Sequence, residues 1–326
     1  MVQGGPAVQL GVIAASVLGL WIGARALVDA VVRLARRFGL SDHTIGLTVV
    51  AMGTSTPELV VSVDSALKGL GNIAVANVLG SNVYNLAFIL GVISLIRVIP
   101  IAEGLVHRDG GALLASTLVA GLVVADLTVT RLEGGLLAGL FVVYTANLFR
   151  TARSTASTTP GTGVEAVTTA ATERLAFRGR DAALLVGGLA LVLVSGDYMV
   201  AAASELARAA GVSEWVIGGT IVAAGTSTPE FAVSLVALRR GSLGISVGNV
   251  VGSNVYNVTG ILGVSALVRP LVVSGTALET LAWLAAVTVL MVAALWTKRQ
   301  LSRIEGALLA GSELCRWVLS LLRVFG

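Results

Sequence analysis

The chain has 326 residues, 56% of them hydrophobic and only 12% charged, with a mean hydropathy of +0.91. That balance overrides the two soluble domains that length alone would allow and points to a polytopic membrane protein. The formal charge of +4 is then a matter of membrane topology, and no nucleic-acid partner is expected.

Residues 1–10 lack the basic start of a signal peptide, so the apolar run from Val8 is expected to be a retained first helix. Segments of roughly 20 residues, long enough to cross about 30 Å of hydrocarbon, fall near 8–32, 44–67, 73–96, 110–128, 132–149, 181–207, 215–238, 244–267, 276–297 and 304–323. They form two groups of five. Between the groups, Ser154 to Gly163 is a Ser/Thr/Gly-rich stretch that reads as a flexible linker. The expected organisation is one repeat over 1–150, a linker over 151–180 and a second repeat over 181–326. Aromatic residues make up only 5%, and the abundant Ala and Gly let helix backbones approach closely in a bilayer.

Alternate threading of these helices with the N-terminus outside collects Arg33, Arg36, Arg37, Arg97, Arg108, Arg150, Arg153, Arg174, Arg178, Arg180, Arg239, Arg240, Lys298, Arg299 and Arg303 on one side. By the positive-inside rule that side is cytoplasmic, which puts both termini outside and the linker inside. Arg25 and Arg316 fall within helices and remain unassigned.

The two groups are copies. Gly53-Thr54-Ser55-Thr56-Pro57-Glu58 returns as Gly225-Thr226-Ser227-Thr228-Pro229-Glu230, an offset of 172. The same offset aligns Gly80 with Gly252, Tyr84 with Tyr256, Gly91 with Gly263 and Glu133-Gly134 with Glu305-Gly306. Over 41–97 against 213–269 roughly half the positions are identical without a gap, which is an internal duplication. An odd number of helices per copy turns the second upside down relative to the first, the inverted-repeat architecture of secondary transporters. The expected fold is an all-α membrane protein of about ten transmembrane helices in two inverted five-helix repeats.

Each hexapeptide puts a carboxylate at membrane depth, where an ionisable group is costly enough to mark a functional site. Pro57 has no N–H and clashes with the carbonyl of Gly53, so the helix should break over 53–57. Broken backbone is tolerated there only where protein or a hydrated cavity satisfies it. Carbonyls near Ala51, Gly53 and Thr54 then join the Glu58 carboxylate as hard oxygen ligands. The next segment brings Asn77, Ser81 and Asn85 at spacings of four, repeated as Asn249, Ser253 and Asn257, a polar stripe on one helix face in each copy. An oxygen-only set without clustered His or Cys suits Na⁺, Ca²⁺ or Mg²⁺. Two carboxylates neutralise one Ca²⁺, whose flexible coordination fits such a set better than the rigid octahedron of Mg²⁺.

With both motifs present in both halves, the chain resembles the alpha repeats of the cation/calcium antiporter superfamily, closest to the prokaryotic sodium/calcium exchangers. The resemblance implies that Glu58 and Glu230 ligate Ca²⁺ with the carbonyls of Thr54 and Thr226. It implies Na⁺ sites using Ala51, Thr54, Ser55 and Ser81 in one half and Ala223, Thr226, Ser227 and Ser253 in the other, with Asn85 and Asn257 beside the centre. Some relatives carry Asp where this chain has Asn257, so the core here holds two carboxylates and a K⁺-dependent mode is disfavoured. Relatives commonly carry an acid where this chain has Arg25, which aligns with Asp197.

The expected function is a transporter and not an enzyme: a monomeric antiporter in the cell membrane that exchanges Na⁺ for Ca²⁺ by alternating access, with no cofactor. Coupling of a divalent cation to H⁺ is the alternative on the same fold, and a passive cation channel is a weaker one. An intramembrane hydrolase would need a Lys or His to activate a hydroxyl, and the polar core has neither. Asn77, Asn249, Asn82 and Asn254 are read as partners of broken backbone. Asp126, Glu133 and Glu305 are read as helix caps, His43 and His107 as isolated, and Cys315 as a buried small hydrophobe.

Overall fold

The computed structural model describes residues 5–38, 40–100, 106–158, 179–209, 223–298 and 300–321. Residues 159–178 of the expected 151–180 linker and the start of the 215–238 span lie outside the described residues. In the first half, α1 (Pro6–Phe38) is followed by a broken stretch of α2 (Asp42–Ile45), a π-helical segment (Gly46–Val50), α3 (Ala51–Thr54) and α4 (Thr56–Leu67). A central helix follows, made of α5 (Gly71–Val83), a π segment (Tyr84–Ile89) and α6 (Leu90–Ile96). Strand β1 (Ile99–Pro100), a π segment (Val106–Gly110), α7 (Gly111–Val124), β2 (Thr128–Val129) and α8 (Arg131–Thr158) complete it.

The second half runs through α9 (Gly179–Ala209), α10 (Ala223–Thr226), α11 (Thr228–Arg239) and α12 (Leu243–Tyr256). A π segment (Asn257–Ile261), α13 (Leu262–Val268), β3 (Leu271–Val272), α14 (Thr276–Lys298), β4 (Gln300–Leu301) and α15 (Arg303–Leu321) follow. Among the described residues, six helices are long and apolar enough to cross a membrane, and the pair Asp42–Thr54 and Thr56–Leu67, bent by 48°, makes a seventh. Helix α8 runs past the expected boundary at 150 to Thr158.

Local chemistry sets the turns. After α4, Gly69 takes φ +77°, and after α11 its counterpart Gly241 takes φ +78°, a conformation that costs Gly little. The amides that follow return to the helix ends, Gly69 to Ala66 and Leu70 to Ser65, Gly241 to Leu238 and Ser242 to Ala237. This double closure leaves few orphan carbonyls. Glu133 caps α8 by accepting from the Thr130 amide at 2.8 Å, and Glu305 does the same for α15 from Ser302 at 2.8 Å.

Among the six unbroken spans, Gly71–Ile96 and Leu243–Val268 are 78% and 83% buried over their most apolar stretch and none of the other four exceeds 28%, so these two form the centre of the bundle. Each half lends its last helix to the other. Gly91 on α6 lies against Gly306 on α15, where a Cβ would meet the Gly306 carbonyl oxygen at 2.9 Å. At the equivalent crossing Gly134 on α8 lies against Gly263 on α13, with 2.8 Å to its carbonyl oxygen. The strands repeat this exchange in an otherwise helical fold: β1 pairs antiparallel with β4, and β2 with β3.

One expectation is corrected here. Cys315 is exposed, because α15 lies on the outside of the bundle and Cys315 points away from the face that buries Glu313. Arg25 and Asp197 form no ion pair with each other. Both are exposed, and the close approaches of Gly19 to Ser195 and Gly23 to Gly188 set α1 and α9 antiparallel with the two charges at different heights.

Candidate cation site

The helix breaks one residue before each Thr-Pro-Glu. Ser55 has φ −81° and ψ 16° between α3 and α4, and Ser227 has φ −87° and ψ 7° between α10 and α11. The proline then sits in the first turn of the new helix, where its missing N–H removes nothing that the helix needs. Of the carbonyls expected to be freed, that of Gly53 accepts from Thr56 Oγ1 at 2.7 Å and that of Ala51 from the Ser55 amide at 3.0 Å. The Ala51 carbonyl also faces Ser253 Oγ at 3.5 Å.

Glu58 and Glu230 are fully buried. Glu58 Oε1 accepts from Ser227 at 2.9 Å and Ser81 at 3.4 Å. Glu230 Oε1 accepts from Ser55 at 2.6 Å and Ser253 at 3.4 Å. Each carboxylate thus takes one hydroxyl from its own half and one from the other. Among the described residues, the second oxygen of each, Oε2, is buried without a partner, as are both amide atoms of Asn85 and Oδ1 of Asn257. These orphaned groups are mostly oxygens, and a buried polar atom without a partner costs about 1–3 kcal/mol. A cation among them would satisfy the carboxylates with the hard ligands it prefers.

A second layer holds the broken turns. Asn77 Nδ2 donates to the Glu58 carbonyl at 3.1 Å and to Ser62 Oγ at 3.0 Å, while its Oδ1 accepts from Thr226 Oγ1 at 3.4 Å. The copy matches: Asn249 donates to the Glu230 carbonyl at 3.2 Å and Ser234 at 3.0 Å, and accepts from Thr54 at 3.0 Å. The threonine hydroxyls of Thr54 and Thr226 therefore point at asparagines of the opposite half. Ala223 opens α10, next to residues outside those described.

Sequence reasoning missed Ser62 and Ser234, although each lies four residues after its glutamate in both copies. It also missed Glu313, fully buried in α15, which accepts from Arg316 Nε and Trp317 Nε1, both at 2.8 Å. Arg316 thereby finds its partner within its own helix. Trp317 stacks on Tyr84 at 5.7 Å, and Tyr84 on Phe88 at 4.9 Å, so an aromatic slab backs the first central helix beside Asn85. His43 is not isolated: its Nε2 lies 2.5 Å from Asp109 Oδ2, and Arg108 Nε donates to Asp109 Oδ1 at 2.7 Å. That cluster joins residues 66 positions apart, which no local pattern reveals.

The family model for the sodium/calcium exchanger protein matches residues 8–150 and 181–315. A putative antiporter, CaxA, of Alkalimonas amylolytica is 34% identical over 85% of this chain and 87% of its own length. The inner membrane protein YrbG of Escherichia coli K12 is 35% identical over 75% of each chain. The sodium/calcium exchanger MaX1 of Methanosarcina acetivorans is 29% identical over 85% of this chain and 88% of its own. Among solved structures, the sodium-calcium exchanger NCX_Mj soaked with 2.5 mM Na⁺ and 10 mM Sr²⁺ superposes with a TM-score of 0.79 at 27% identity, covering 95% of this chain and 98% of that one. On the family match and the relatives' coverage, the chain belongs to the sodium/calcium exchanger protein family of membrane antiporters.

Proposed function

We propose that the protein exchanges Na⁺ for Ca²⁺ across the cell membrane as a monomer, through one site in which Glu58 and Glu230 hold Ca²⁺. Ten spans in two inverted repeats, with both termini outside and the 151–180 linker inside, would carry that site. The carrying observation is the group of buried polar atoms without partners: Oε2 of both glutamates, Oδ1 of Asn257 and the amide of Asn85.

Exchange follows from charge. Two buried carboxylates without a counter-ion are costly to hold in the interior, and more so to carry through an occluded state. One Ca²⁺ removes that cost, and so do Na⁺ ions bound to the same oxygens. Because both ions need the same glutamates, they displace each other, and the barrier is passable mainly when the site is loaded. The hydroxyls of Ser55, Ser81, Ser227 and Ser253 and the carbonyls of Ala51, Thr54, Ala223 and Thr226 would complete the Na⁺ and Ca²⁺ shells. Helices α1 and α9, packed on each other through Gly23 and Gly188, would move against the core to alternate access.

The test is ⁴⁵Ca²⁺ uptake into proteoliposomes. An outward Na⁺ gradient should drive it, and Glu58→Gln or Glu230→Gln should abolish it. Uptake that ignores Na⁺ and follows a pH gradient would instead establish the H⁺-coupled reading, and flux indifferent to any counter-ion gradient would establish a channel.

A further inference from the structure

Asn257 has one amide atom engaged and one free. Its Nδ2 donates to Asn82 Oδ1 at 3.0 Å, while its Oδ1 is buried without a partner among the described residues. The difference matters for a cation, because an amide can present either a carbonyl oxygen, which ligates, or an NH₂ group, which repels. The two states differ by a half-turn of one torsion.

The direction of that amide is set two residues away. Asn82 Nδ2 donates to the backbone carbonyl of Asn254 at 3.1 Å. A carbonyl can only accept, so it fixes the NH₂ end of Asn82 against itself and leaves Oδ1 facing the other way. An oxygen there can only be met by a donor, which fixes Asn257 with Nδ2 towards Asn82 and Oδ1 away from it. Asn257 stands four residues after Ser253, on the helix face from which Ser253 reaches Glu230. The polarity of one backbone carbonyl is thus relayed through two side chains to the cation site.

The second half of the pair is not held in this way. Asn254, the counterpart of Asn82, turns its Nδ2 back to the Val250 carbonyl of its own helix at 2.8 Å. Asn85, the counterpart of Asn257, has neither amide atom bonded among the described residues. One side-chain amide is held by hydrogen bonds and its counterpart is not, among the described residues.

We infer that Asn82 is a positioning residue of the cation site, holding the Asn257 side-chain oxygen, and not its NH₂ group, towards the bound ion. The inference rests on the two-glutamate site proposed above.

Calorimetric Ca²⁺ titration of detergent-purified full-length protein tests it without requiring turnover. Asn82→Ala should raise the Ca²⁺ Kd about tenfold, the lower end of what lost outer-shell partners cost metal sites. In the Asn257→Asp background the carboxylate has no NH₂ group to meet the fixed Asn82 Oδ1, so adding Asn82→Ala removes an opposed oxygen and should leave Kd unchanged or lower it, with no further loss of affinity. Asn254→Ala keeps the backbone carbonyl and should leave Kd near that of the unaltered protein. Asn82→Leu, similar in volume, replaces Asn82→Ala in the cycle if the latter does not fold. An equal loss in both backgrounds would reduce Asn82 to a packing role, and no loss in either would remove it from the site. Failure of the underlying reading looks different: Glu58→Gln and Glu230→Gln would then bind Ca²⁺ normally, whatever the asparagine cycle gives.

Discussion

Ser55 of the first half donates its hydroxyl to Glu230 of the second at 2.6 Å, and Ser227 returns the bond to Glu58 at 2.9 Å. Each glutamate is therefore aimed by the helix break of the other copy, and the two breaks must stay in register for either carboxylate to be oriented. A hydrogen bond to a charged group contributes about 1.5–3 kcal/mol. Ser55→Ala and Ser227→Ala should each raise the half-saturating Ca²⁺ for uptake by about tenfold or more. Equal uptake curves for both variants and the unaltered protein would show that the serines do not orient the acids.

The close approach of the halves also depends on Gly252. A Cβ there would stand 2.7 Å from both the carbonyl carbon and the Cα of Leu47. Both are backbone atoms, so no side-chain rotation relieves the clash. The π segment Gly46–Val50 would have to move, and with it the Ala51–Thr54 turn that leads into Ser55. Gly252→Ala should lower the melting temperature in detergent, from about 1–3 kcal/mol of overpacking, and reduce Ca²⁺ uptake. Gly139→Ala, where nothing lies within 4 Å, should be neutral or slightly stabilising. Similar melts for the two variants would refute the argument.

The two hexapeptides and the 172 offset were readable because each requirement is local: a proline breaks its own helix, and a carboxylate among apolar residues stands out. What was not readable is long-range or hidden by composition. Leu113, buried, and Leu118 and Leu122, exposed, occupy one helix, because lipid and core accept the same residues and the usual contrast of faces vanishes. The exchange of α8 and α15 between halves depends on Gly–Gly crossings that glycine-rich sequence does not single out. Asn82 and Asn254 are identical in the motif yet bond differently, and only coordinates separate them.

Asp109 predicts a pH response. Burial alone would push its carboxyl up, but hydrogen bonds from His43 and Arg108 and their nearby charges outweigh it and hold Asp109 below its ordinary value. A depressed folded pKa means that the stabilisation is present above the unfolded value of about 3.9 and is lost as pH falls through the folded value. The melting temperature should therefore fall on acidification below about pH 4. Asp109→Asn should melt lower at pH 7, by about 3 kcal/mol as one partner of a buried pair is removed, and should show a weaker acid dependence. Indistinguishable melts at pH 7 would count against the pair.

Asp29 on α1 forms an ion pair with Arg240 at the end of α11, and the neighbouring Arg239 guanidinium lies 5.3 Å from the centre of the Trp21 ring. The copy of Arg240 is Lys68, which pairs with Asp64 on its own helix at 2.6 Å, and the copy of Asp29 is Ala201. Helix α1 is thus tied to the core at the end that is cytoplasmic in the proposed topology, and no copy of this pair ties α9. Movement of α1 against the core has to break the tie. Both partners are about a third exposed, so the pair is worth about 1 kcal/mol at most. Asp29→Lys or Arg240→Glu should accordingly change the half-saturating Ca²⁺ at the cytoplasmic face of inside-out vesicles by up to about fivefold. The double reversal should restore it, since the charges are only exchanged. A double reversal no better than the worse single change would mean that the two residues act separately and that the tie does not hold α1.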